Sequence, residues 1–126
     1  MIDKVGAIII ENKKLLVVRS FNKPWFFIPG GKREGAETDE ECLRREILEE
    51  LQATITTVAY YKEFYSQAMG KTETIRIRTY LCTLANRPKP GTEIEELTWI
   101  NGSFDSEKLA DVLKIMIPEL ERDGFL

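Results

Sequence analysis

Gly30-Gly31-Lys32-Arg33-Glu34-Gly35-Ala36-Glu37, followed by a helix from about Thr38 to Leu51 that carries Arg45-Glu46-Ile47-Leu48-Glu49-Glu50, is the stretch whose reading decides the fold. A glycine turn feeds a helix. Thr38 with Glu41 three residues later forms a capping box, and acidic residues fill the first turn. Leu43, Ile47 and Leu51 recur on one face and predict the stripe that docks on a sheet. Glu46, Glu49 and Glu50 stand at i, i+3 and i+4, so they share a face and repel one another. A cation placed among them turns that repulsion into binding. An acidic helix face is, on its own, most often only a solvated surface.

Working outward, 126 residues are expected to form a single domain, 1–126, with one buried core. A content of 43% hydrophobic and 31% charged residues is that of a globular protein. The net charge of −3 argues against nucleic acid as the main partner, because phosphate backbones select basic surfaces. No apolar run is long enough for a membrane span. Cys42 and Cys82 form neither a metal-ligand spacing nor a disulfide framework, and a reduced, cytoplasmic setting is expected. Histidine is absent, which removes imidazole bases and histidine-bound metals. Acid–base and metal chemistry falls to carboxylates, lysine, tyrosine or the cysteines.

Upstream of the motif, Val5 to Ile10 reads as a buried strand, and Leu15 to Val18 as its hairpin partner. Trp25 to Ile28 is extended, because Pro29 keeps Ile28 out of the helical region. Downstream, Ala53 to Gln67 reads as one long or two short strands. Thr72 to Leu84 alternates Ile75, Ile77, Thr79 and Leu81 against Thr74, Arg76, Arg78 and Tyr80. Asn86 to Gly91 is a loop, and Glu95 to Ile100 a further strand. Ser103 or Asp105 is placed to cap a helix from about Ser106, with a break or kink expected near Met116 to Pro118. This order of elements predicts an α/β sandwich: a mixed β-sheet with the motif helix on one face and the C-terminal helix on the other.

Several hard oxygens on one rigid element suit a divalent cation, and Mg²⁺ completes its shell with water and substrate phosphates. A metal-bound water is a better nucleophile, and a spare carboxylate can take its proton. The chemistry suggested is metal-assisted hydrolysis of a phosphoanhydride.

The whole stretch resembles the signature of the Nudix hydrolase family: a glycine, five residues, a glutamate, seven residues, then Arg-Glu-x-x-Glu-Glu-x-Gly. Gly31, Glu37, Arg45, Glu46, Glu49 and Glu50 occupy its positions. The resemblance implies an α/β/α sandwich and a Mg²⁺-dependent pyrophosphohydrolase, with Mn²⁺ as a substitute. It implies Glu46, Glu49, Glu50 and the Gly31 carbonyl as metal ligands and one glutamate, Glu49 or Glu46, as base. It also implies a Glu37–Arg45 ion pair that orients the glutamates. Family members often add an acidic residue from a later loop, and here Glu93 is favoured, with Glu96 second. The family's closing glycine is Gln52. Glutamine in the left-handed conformation costs on the order of 1 kcal/mol, so a changed path over residues 51 to 54 is expected.

Arg19, Lys32, Arg33 and Arg78 are candidates to neutralise substrate phosphates, with Arg76 beside them. Phe26 occupies the place of an aromatic that the family often carries, and with Trp25 and Tyr80 it is a candidate for stacking on a base. The expected partner is a small nucleotide or nucleotide derivative. A nucleoside di- or triphosphate in a pool-sanitising role is the default, since no downstream signature of another subgroup is present. A homodimer is compatible with exposed strands and the C-terminal helix. The alternative is a non-catalytic nucleotide-binding Nudix sensor or interaction module.

Overall fold

Val5 and Ala7 point to one side of their strand and Ile8 to the other, and both sides are buried. In the computed structural model, which describes residues 1–126, this run lies inside a mixed sheet. Strand β1 (Ile2–Ile8) runs parallel to β6 (Thr74–Leu84) and antiparallel to the two-residue β4 (Gly30–Gly31), while β5 (Ile55–Gln67) pairs antiparallel with β6. The order is β4-β1-β6-β5. A second, antiparallel sheet has the order β2-β3-β7, from β2 (Ile10–Glu11), β3 (Lys14–Ser20) and β7 (Ile94–Ile100).

The expected hairpin is reduced to its tip. Ile10 and Glu11 pair with Leu15 and Lys14 around Asn12 and Lys13, both at positive φ, the twist a two-residue turn needs. The rest of β1 is claimed by β4 and β6 instead. Ala53 to Gln67 resolves into one long strand whose ladder shifts register between Tyr60 and Glu63. Thr79, the one fully buried polar residue, serves that irregularity: its hydroxyl donates to Lys62 O at 2.7 Å.

Helix α1 (Asp39–Leu51) buries Cys42, Leu43, Ile47 and Leu51 against Val5, Ala7, Leu16 and Val18. Helix α2 (Asp111–Arg122) buries Leu113, Met116 and Leu120 on the other side against Ile8, Val17, Phe26 and Ile77. The two apolar clusters hold 13 and 15 buried residues, so both faces are filled to a similar extent. No helix is long and apolar enough to cross a membrane.

The expected break at Pro118 is absent. The chain is interrupted earlier, at Leu109–Ala110, after a 3-10 turn (Ser106–Lys108) capped by Asp105. Pro118 then sits inside an unbroken α2, on its exposed face. The burial of Met116, Ile117 and Leu120 around it holds the helix together. Pro118→Ala is therefore expected to restore a hydrogen bond to the Lys114 carbonyl and to raise stability by about 1–3 kcal/mol in chemical denaturation; a loss of stability would show that the ring itself is a packing element.

Candidate active site

Arg45, in the middle of α1, organises the motif. Its Nε and Nη2 donate to the two oxygens of Glu37 at 2.7 and 2.9 Å, the fork geometry that suits guanidinium to carboxylate. Nη1 donates to Glu46 Oε1 at 3.0 Å and stands 3.6 Å from both Glu34 and Glu49. Nη2 also reaches Lys32 O at 3.2 Å. The guanidinium thus ties the loop after Gly31 to the helix and lies along its carboxylates. The hydrogen bonds from Arg45 and the Glu34 amide hold the Glu37 carboxyl down at about 2.

The three carboxylates differ in surroundings. Glu49 is more than half exposed, whereas Glu46 is largely covered and burial raises its pKa. Glu50 is buried furthest. It accepts one hydrogen bond, from Gly30 N at 3.2 Å, and burial with the charges of Glu46 and Glu49 pushes it up to about 8. Gly31 lies against Glu46: a Cβ there would fall 2.5 Å from Glu46 Oε1, so a side chain at this position would displace that carboxylate. As placed, no three acidic or thiol groups converge as a ligand set, because Glu46 is turned to Arg45 and Glu50 to Gly30. The donor type still suits a hard cation. Glu46 and Glu50 are raised by burial and by neighbouring carboxylates, and a cation relieves that repulsion.

On the other side of Gly30–Gly31 is a cavity of 360 Å³. Trp25, Phe27, Ile28, Ile75, Ile77 and Val112 supply its apolar wall. The two glycines are the partition between this cavity and the glutamates.

Of the side chains expected to bind substrate, Trp25 lines the cavity, and Arg19, Phe26, Lys32, Arg33, Arg76, Arg78 and Tyr80 do not. Arg19 pairs with Glu95 at 2.5 Å and Glu96 at 3.2 Å. Arg78 is held by both oxygens of Asp39, at 2.8 and 3.0 Å, and Tyr80 donates to the same carboxylate at 2.5 Å. Arg33 lies 3.4 Å from Asp3 and 3.5 Å from Asp39. Lys32 is exposed on the loop. Phe26 is 5% exposed, with its ring edge-on to Phe104, so the alternation of the strand sends Trp25 and Phe27 to the cavity and Phe26 to the core. The cations at the cavity are instead Lys4, Lys23 and Lys71, none singled out by the motif.

Gln52 takes the left-handed conformation that a glycine would take, φ 51° and ψ 39°, so the helix ends as the signature glycine would end it. Its side chain compensates by donating to Pro90 O at 2.9 Å, while Lys89 N and Gly91 N donate to Leu51 O and Glu50 O, both at 2.8 Å. Gly91 abuts the Glu49 carbonyl with no room for a Cβ. The loop carrying exposed Glu93 is thereby clamped to the helix end.

The family model of the NUDIX domain matches residues 2–107. The chain belongs to the Nudix family. It is accordingly a hydrolase acting on phosphoanhydrides. A MutT Nudix hydrolase from Burkholderia pseudomallei superposes with a TM-score of 0.81 at 21% identity, over 94% of this chain and 96% of that one. A MutT protein from Methanosarcina mazei Go1 gives 0.81 at 19%, over 98% and 94%. A nudix hydrolase family member from Chromobacterium violaceum gives 0.78 at 24%, over 97% and 77%. At these identities the likeness is one of Nudix fold. No curated protein matches the chain by sequence.

The burial of Glu50 has a pH signature in the metal-free protein. Its carboxyl titrates at about 8 when folded, against 4.5 ordinarily. Between those values the folded state holds a proton that the unfolded chain releases, so stability falls as pH rises from 4.5 to about 8. Denaturation in chelator across that range should show the decline, and Glu50→Gln should flatten it; an equal slope in the variant would place its source elsewhere.

Proposed function

We propose that this Nudix hydrolase cleaves a phosphoanhydride in a nucleoside di- or triphosphate, with Mg²⁺ as its cation and Mn²⁺ as a substitute. The observation that carries the reading is the partition at Gly30–Gly31, with an apolar cavity on one side and the Glu46–Glu49–Glu50 face on the other. A nucleoside in the cavity, stacked on Trp25 or Phe27, would direct its phosphates across the two glycines to the glutamates.

Glu46, Glu49, Glu50 and the Gly31 carbonyl would hold the cation. When bound, it neutralises phosphate charge and lowers the pKa of an attacking water. Arg45, fixed by Glu37, holds Glu46 and keeps the three carboxylates from being a bare anionic cluster. Glu49, the most exposed of the three, is free to accept a proton from water, and Glu93 on the clamped loop is a second acceptor. The unpaired Cys42 and Cys82 suit a reducing, cytoplasmic compartment, where removal of unwanted nucleotides is a fitting role.

Incubation with Mg²⁺ and a panel of nucleoside triphosphates, dinucleoside polyphosphates and nucleotide sugars tests the reading. Phosphate or pyrophosphate release is expected for at least one compound, abolished by chelator, restored by Mn²⁺, and reduced about 10²–10⁴-fold in Glu49→Gln and Glu50→Gln. Tight binding of a nucleotide with no turnover of any compound would instead favour a sensor or interaction module.

A further inference from the structure

Lys4 is a cation with no direct partner in the protein. Along β1, Val5 and Ala7 turn to the α1 core, while Ile2, Lys4 and Gly6 border the cavity. Lys4 stands opposite Ile77, a buried core residue, and is itself only partly exposed. Its ammonium has no ion pair and no hydrogen bond, although seven of the chain's arginines and two of its lysines have acidic partners. Lys23 and Lys71, the other cations at the cavity, lie on the exposed rim where water satisfies them.

An ammonium held partly out of water without a direct partner is destabilising, and a methionine or leucine would fit the apolar wall better. Burial and the nearby Lys32 and Lys71 pull its pKa down, whereas Glu50 and Glu46 push it up. Lys4 is therefore within electrostatic reach of the acidic face across the glycine partition. The only carboxylate on the cavity wall is Asp111, and it makes no contact with Lys4.

We propose that Lys4 is a substrate-binding residue whose ammonium pairs with the phosphate that stays on the nucleoside held in the cavity. The proposal rests on the nucleotide reading given above. A polyanion approaching Glu46, Glu49 and Glu50 meets like charge, and one fixed cation on the cavity side offsets it for the phosphate nearest the nucleoside. Substrates whose cavity-side group carries no phosphate at that point gain nothing from Lys4.

The test compares ligands as well as variants. Binding of the four common nucleosides and their 5′-monophosphates is measured by calorimetry in chelator, for wild type, Lys4→Met, Lys4→Arg and Lys71→Met, with turnover of the triphosphate panel in Mg²⁺ measured alongside. Wild type should bind at least one monophosphate ten-fold or more tighter than its nucleoside. Lys4→Met should lose that preference while still binding the nucleoside. Lys4→Arg should keep most of it, and Lys71→Met should change it less than three-fold. Thermal melting of Lys4→Met should be no lower than wild type, and Lys4→Gln serves as a second neutral variant. An unchanged phosphate preference in both neutral variants, or no preference in wild type, overturns the proposal. Wild-type turnover with an unchanged preference overturns Lys4 alone. No nucleotide turnover with a lost preference upholds Lys4 and overturns the nucleotide-hydrolysis reading.

Discussion

One guanidinium is the constraint from which the site follows. Arg45 faces four carboxylates and a backbone carbonyl, and its planar fork of five N–H groups can serve several at once. A lysine would bring the same charge without the fork. Its contacts with Glu37 and Lys32 O fix the glycine loop against the helix, and its contact with Glu46 fixes a carboxylate against Gly31. The guanidinium stays charged at any working pH, so the loop and helix are held together independently of the titration of Glu46 and Glu50.

What was legible in the sequence was local. The capping box at Thr38 and Glu41 marks where α1 starts, and both of its reciprocal hydrogen bonds are present. Leu43, Ile47 and Leu51 were readable as the docking stripe, and all three are fully buried. The Glu37–Arg45 pair, implied by the resemblance, is made by both oxygens.

The cavity was not legible, because its wall comes from β1, the Trp25–Ile28 segment, the turn at 67–71 and the start of α2, far apart in the chain. The acidic partners of the arginines considered as phosphate anchors were hidden for the same reason. Arg78 meets Asp39 and Arg19 meets Glu95 and Glu96 only once strands have paired, and those partnerships consume their charge. One signal was available but weak. Strict alternation from Trp25 sends Phe27, not Phe26, to the same side as Trp25, and carried back along β1 it sets Lys4 with Ile2 and Gly6. At Pro118 the burial of Met116, Ile117 and Leu120 overrides the local preference of proline for a helix break.

The clamp between the end of α1 and residues 86 to 91 bears on how such a chain can diverge. Gln52 reaches Pro90, Gly91 rests on the Glu49 carbonyl, and Asn86 spans the Gln52 carbonyl and the Thr54 amide. Two segments distant in sequence therefore share one geometry. Adding a residue to the helix would rotate its last carbonyls by about 100° away from Lys89 and Gly91. A change of length at 51 to 54 would therefore break the contacts with 86 to 91 unless that segment changed with it. The glutamine that stands at the signature glycine's place is thus tied to the proline-rich loop that receives its amide.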